Sequence, residues 1–325
     1  MNSTAAFAGG AAPKHKKRSW LFFALAALLF FGVTNFILGF ISESSGGDPI
    51  SSITASIFLW LGAGLLGLAG ASCFRVTGRG FSGLPRKGHV ILPVIAGVTL
   101  AMGMLLLKIS LAANPLAKGP IVALTSSNSL VVALLAWVFL KEKLSRGQWA
   151  GFLIIVVGII IVSLAGKASG HFAAVVYAAL AMALFGFTNF FLKLAGEQGC
   201  DSITVAVVLW LSVGGCGMLA FAWRWLEISR FPSLQSPALG WLALLAGVFL
   251  ALGMLCIKKA VTLGQAGPAT AVSGSNAVLV SLLDYWLLGH WLPCLKLAGM
   301  MVAIAGIVAL ALAKPAGLRS RPAGG

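Results

Sequence analysis

The 325 residues are 59% hydrophobic and only 9% charged, with a mean hydropathy of +1.01. A soluble domain needs more charge than this to hydrate its surface, so the composition excludes one and points to a bilayer-embedded chain. The net charge of +16 does not indicate a nucleic-acid binder either, because the basic residues sit in short clusters between apolar runs, the pattern of loops at a cytoplasmic membrane face.

Residues 1–18 form a polar tail ending in Lys14-His15-Lys16-Lys17-Arg18. The apolar run that follows is longer than a secretory h-region and lacks a small-residue cleavage site, so it reads as a retained first span. A spanning helix takes about 20 apolar residues. On that measure the chain holds ten spans, near 20–42, 50–72, 89–112, 118–140, 147–166, 171–195, 203–223, 238–258, 267–288 and 292–313. The polar turn Ser42–Asp48 and the pairs Gly119-Pro120 and Gly267-Pro268 punctuate them. With the N-terminus in the cytoplasm, the outer side keeps only Lys108, Lys118, Lys167, Arg224, Arg230 and Lys296 of the 23 basic residues. The positive-inside rule therefore favours both termini in the cytoplasm. The expected location is a cell (inner) membrane, with a eukaryotic endomembrane not separated from it by sequence. Five cysteines without C-x-x-C spacing read as reduced packing thiols.

The spans repeat. Phe31-Gly32-Val33-Thr34-Asn35-Phe36 returns as Phe185-Gly186-Phe187-Thr188-Asn189-Phe190, and Leu59-Trp60-Leu61 as Leu209-Trp210-Leu211. Gly103-Met104 and Lys108 return as Gly253-Met254 and Lys258, and Ser127-Asn128 as Ser275-Asn276. The offset stays near 150 residues throughout, so the architecture is one of two homologous halves, 19–168 and 169–313, with a cytoplasmic tail at 314–325. Five spans per half is an odd number, so the second copy must enter the membrane from the opposite side. The expected fold is an all-α integral membrane protein of ten helices in two inverted five-helix repeats, an arrangement suited to alternating access.

The segment Ala123–Leu164 contains Ser127-Asn128, the run from Leu134 to Leu144 with Lys141-Glu142-Lys143, Gln148-Trp149-Ala150-Gly151 and Gly158. It resembles the second part of an EamA-like repeat of the drug/metabolite transporter superfamily. The resemblance covers residues 20–313 as two five-helix units and implies a secondary transporter of small solutes with a central cavity between the halves. The second half departs from the pattern, with Gly289-His290-Trp291 where the first has Lys141-Glu142-Lys143. Glu142 is therefore read as organising a cytoplasmic loop.

Polar groups at membrane depth need partners or a function. Asn128 and Asn276, with Ser127 and Ser275 beside them, occupy matching places in the fourth and ninth spans. Amides both donate and accept, so two facing copies suit a zwitterion or polyol; interhelical bonding is the competing reading. Asn35 and Asn189 are a second symmetric pair, with Phe36 and Phe190 beside them. Lys108 and Lys258 either snorkel to headgroups or hold an anionic substrate. Asp284 has no counterpart in the first half, where Ala136 stands, and it alone of the seven acidic residues falls within a span. It is a candidate for proton coupling, since burial disfavours the charged carboxylate; a salt bridge to Lys108 or an outer-interface position is the alternative. Trp60 and Trp210 read as packing.

Nothing asks for enzymatic chemistry. The four histidines lack metal-ligand spacing, no Gly-x-x-x-x-Gly-Lys-[Ser/Thr] loop is present, and Gly274-Ser275 lies mid-helix rather than at a nucleophile elbow. The expected partners are a small-molecule substrate, membrane lipid and, through Asp284, protons, with no cofactor, metal or nucleic acid. The sequence reading is a secondary active transporter of an amino acid, sugar or drug-like solute. Its rivals are an anion/metabolite exchanger using the membrane lysines and a non-transporting scaffold of the same fold.

Overall fold

A computed structural model describes residues 19–46, 49–78, 90–113, 118–141, 144–164, 172–228, 236–289, 291 and 293–313. The two tails, the link near 165–170, Glu142 and His290 lie outside these residues. The described chain is helical: α1 (Ser19–Ser44), α2 (Pro49–Val76), α3 (Ile91–Ala113), α4 (Lys118–Ser126), α5 (Asn128–Leu140) and α6 (Arg146–Leu164), then α7 (Phe172–Glu197), α8 (Ser202–Ile228), α9 (Pro237–Leu263), α10 (Ala266–Gly274), α11 (Asn276–Leu288) and α12 (Cys294–Leu312).

Local chemistry sets the helix ends. The Asp201 carboxylate accepts from Thr204 N (3.0 Å) and caps the start of α8. Ser236 caps α9 by accepting from Ala238 N, with Pro237 pre-set for the first turn. Helix α11 stops at Gly289 in the left-handed region (φ 67°), which glycine adopts freely. The equivalent residue closing α5 is Lys141, at φ 53°.

Among the described residues, seven helical stretches are long and apolar enough to cross a membrane, the run Ala266–Leu288 through α10 and α11 being one. Shorter apolar segments, Leu124–Leu140, Arg146–Gly158 and Leu297–Ala309, fall on the predicted fourth, fifth and tenth spans. The outer surface is apolar: Phe22, Leu219, Trp223 and Trp241 are each at least 70% exposed. Such a surface requires lipid around it, and the protein is a multi-pass membrane protein.

Each long helix packs on a helix of the other half: α1 on α9, α3 on α7, α2 on α8 and α6 on α12. Between lipid-soluble helices the attraction is close van der Waals contact, which small residues permit. A Cβ added to Gly64 would stand 2.7 Å from Gly214 Cα, and one added to Gly214 would stand 2.6 Å from Gly64 Cα. Gly158 meets Ala303 and Gly306 meets Ile155 in the same reciprocal way across α6 and α12.

Two of the predicted spans are not continuous helices. Between α4 and α5, and again between α10 and α11, the backbone tightens to three-residue hydrogen bonds. Ser127 N donates to Leu124 O (3.1 Å) and Ser275 N to Val272 O (3.2 Å). The residues responsible are those whose side chains compete for backbone groups. Asn128 Nδ2 donates to Thr125 O (3.0 Å), Asn276 Nδ2 to Ser273 O (3.1 Å), and Ser275 Oγ to Ala271 O (3.1 Å). The breaks abut, for a Cβ on Gly274 would lie 2.6 Å from Ser126 O. Non-helical backbone at this depth persists because protein surrounds it.

Candidate functional site

A recess with about 480 Å³ of empty space, part of it open to the surroundings, lies where the two breaks meet the long helices. Helix α1 contributes Phe31, Thr34 and Asn35, and α7 the matching Phe185, Thr188 and Asn189. Leu100 and Met104 of α3 face their counterparts Leu250 and Met254 of α9. Asn128 and Asn276, the first residues after the two breaks, complete the lining with Thr125 and Ser126. All these residues except the last two form matched pairs between the halves. No lining side chain is ionisable.

The four asparagines named from the sequence are thus brought together in one cavity. Ser127 and Ser275 are buried at the breaks but do not line it. Lys108 and Lys258 are outside the lining and fully buried, so neither extends to a lipid headgroup. Lys108 Nζ donates to Leu38 O of α1 (2.8 Å), whereas Lys258 Nζ donates to Thr262 Oγ1 of its own helix (2.9 Å). Asp284 lies half-buried near the C-terminal end of α11, also outside the lining. Phe36 and Phe190 are not lining residues; Phe190 packs against Phe139 and Phe191 instead.

The lining threonines have a structural duty as well. Thr34 Oγ1 reaches Phe30 O (2.9 Å) within α1 and Ala246 O (3.3 Å) on α9. Thr188 Oγ1 reaches Leu184 O (2.9 Å) and Ala96 O (3.4 Å) on α3. With its proton committed, the Thr34 hydroxyl faces the cavity as an acceptor, while Thr188 Oγ1 also shares a hydrogen bond with Thr99 Oγ1 of α3 (2.8 Å). The amides are less occupied. Asn35 Nδ2 donates to Asn276 Oδ1 (3.0 Å), while Asn189 has no hydrogen-bond partner among the described residues although only 9% exposed. An unpartnered buried amide costs about 1–3 kcal/mol, which a ligand in the cavity would offset.

Sequence reasoning missed Phe31, Thr34, Leu100, Met104 and their mates as lining residues. The signal was available: they are identical in both halves and lie three or four residues apart, hence on one helical face.

These features define a helical membrane protein with an uncharged polar recess at its centre. Residues 172–312 match the EamA-like transporter family, which supports the resemblance read from the sequence. The match falls on the half that lacks the Lys-Glu-Lys run. A solved crystal structure superposes with a TM-score of 0.64 at 17% identity, over 90% of this chain and 96% of its own; at that identity the likeness is one of fold. Among curated proteins none matches by sequence.

Proposed function

We propose that the protein is a secondary transporter of ten membrane spans in two inverted five-helix repeats, moving a small, net-neutral polar or amphipathic solute by alternating access. The observation that carries this reading is the matched lining. Each half contributes the same phenylalanine, threonine, asparagine, leucine and methionine to one cavity, as a site shared by two conformations requires. The two broken spans supply polar backbone and amides at that depth. The absence of charge among the lining residues favours a neutral or zwitterionic solute over an anion, since an unpaired anion in such a site carries a heavy desolvation cost. Because Lys108 and Lys258 stand outside the lining, the exchanger reading loses its anion-binding groups.

The test is thermal unfolding of the purified protein against amino acids, sugars, nucleosides, organic anions and cationic drugs. A ligand of the folded state stabilises it by about 2.7 kcal/mol at a hundredfold excess over its dissociation constant. Neutral polar compounds are expected to raise the melting temperature and then to be carried into proteoliposomes. No shift at millimolar doses and no flux would leave the scaffold reading. Proton coupling through Asp284 is tested in the same vesicles: an imposed pH gradient should drive uptake by the parent but not by Asp284→Asn, and equal driven uptake would rule it out.

A further inference from the structure

The two halves carry the same residues in the cavity but do not use them alike. Asn35 of α1 is hydrogen-bonded to Asn276 of α11. The equivalent pair is Asn189 of α7 and Asn128 of α5. No bond joins these two among the described residues, although both line the same cavity. Asn189 Oδ1 is buried and unpartnered, as Asn35 Oδ1 is in the bonded pair, and Asn128 uses only its Nδ2, on Thr125 O. What separates the pairs is the amide-to-amide bond itself. A second symmetric pair differs in the same way. Trp210 Nε1 of α8 donates to Ala251 O of α9 (3.0 Å), while Trp60 Nε1 of α2 is buried without a partner beside the equivalent α3. The helices α1, α8, α9 and α11 carry both of these bonds. Their mates α7, α2, α3 and α5 lack them among the described residues, although α3 and α7 are tied to each other through Thr99 and Thr188 (2.8 Å) and through Ser110 Oγ and Ala174 O (2.7 Å). The residues are identical in each pair, so their own identity does not explain the difference.

We propose that the four asparagines work as two mutually exclusive pairs. The bonded pair, Asn35–Asn276, holds its cluster closed, and the parted pair, Asn128 and Asn189, makes the solute's hydrogen bonds, the roles exchanging at each turnover. The parted pair offers two amide oxygens and one uncommitted amide nitrogen. It therefore fits an uncharged group carrying donor and acceptor side by side, such as a carboxamide, a urea or a hydroxyl. The solute stands in for the bond the pair would otherwise make with itself, so a single site serves both faces without a net change in hydrogen bonding. This rests on the transporter reading above.

The test uses Met104→Cys, a cavity reporter, in vesicles of both orientations, with a membrane-impermeant methanethiosulfonate reagent added to either side and the parent's own thiol labelling subtracted. The readout is the ratio of the two labelling rates. Asn35→Ser and Asn276→Ser each remove the bond made in this conformation and should shift the ratio by about fivefold toward the opposite state. Asn128→Ser and Asn189→Ser remove the bond of the opposite state and should shift it by a similar factor the other way. Each pair has two members, so a variant that fails to fold leaves its partner to report. Shifts of the same sign in both pairs, or no shift in either, overturn the exchange while labelling from both sides leaves transport standing. Labelling from one side alone in every variant overturns the transport reading beneath it.

Discussion

Some equivalent residues of the two halves make matching contacts and others, side by side with them, do not. Thr34 lies 3.3 Å from Ala246 O and Thr188 lies 3.4 Å from Ala96 O. Gly253 sits against Phe31 as Gly103 sits against Phe185. For other pairs, the cavity asparagines among them, the match fails, for two separate reasons. The asparagine and tryptophan pairs have the same residues and different bonds, a difference that the exchange proposed above assigns to conformation. The lysines have different neighbours in the sequence: Lys258 has Thr262 one turn on, whereas Lys108 has Ala112 there and reaches α1 instead. The matched threonine and glycine contacts can therefore act as a pivot while the unmatched asparagines, tryptophans and lysines record which way it is turned.

Breaking a matched contact should have the largest effect. Gly214→Ala forces a Cβ onto Gly64 Cα and should cost about 2–3 kcal/mol, as overpacking does. Its neighbour Gly215 faces open space, so Gly215→Ala should change stability by no more than about 0.5 kcal/mol. Thermal unfolding in one detergent compares the two, and equal losses would remove the central contact from the account. Thr262→Ala makes the second half resemble the first by taking away the partner of Lys258. The loss should be about 2 kcal/mol, the usual range for a bond to a charged group, and an unchanged melting temperature would show that Lys258 finds α7 instead. Smallest is Lys141→Gly, which gives α5 the terminus that α11 already has. Relief of the left-handed backbone should stabilise the protein by about 1 kcal/mol, read as a raised melting temperature; a lowered one would mean that the Lys141 side chain contributes more than its backbone costs.

Much of this plan was legible in the sequence because a duplication reports on space as well as on ancestry. Two asparagine pairs repeated at matching places fell into one cavity. The membrane class followed from composition, and helix ends near Asp201, Pro237 and Gly289 lie where local chemistry puts them. The breaks at Ser127 and Ser275 were not legible, since an apolar run of spanning length looks continuous whether or not asparagine and serine capture a carbonyl inside it. Burial of the lysines was not legible either. Whether a long stem turns outward to a headgroup or across to Leu38 O depends on a neighbour more than sixty residues away.

The crossed pairing of the long helices bears on how the chain is made. α1 rests on α9 and α3 on α7, so no long helix of the first half finds its principal neighbour until the second half has left the ribosome. In the interval Thr34 and Asn35 stand in lipid without their partners on α9 and α11, and α3 waits with its outward glycines uncovered. On this pairing neither half is expected to fold by itself. The chain is in effect an obligate dimer whose subunits are synthesised in tandem, and the connection between them supplies the local concentration that a split pair of genes would have to supply by expression.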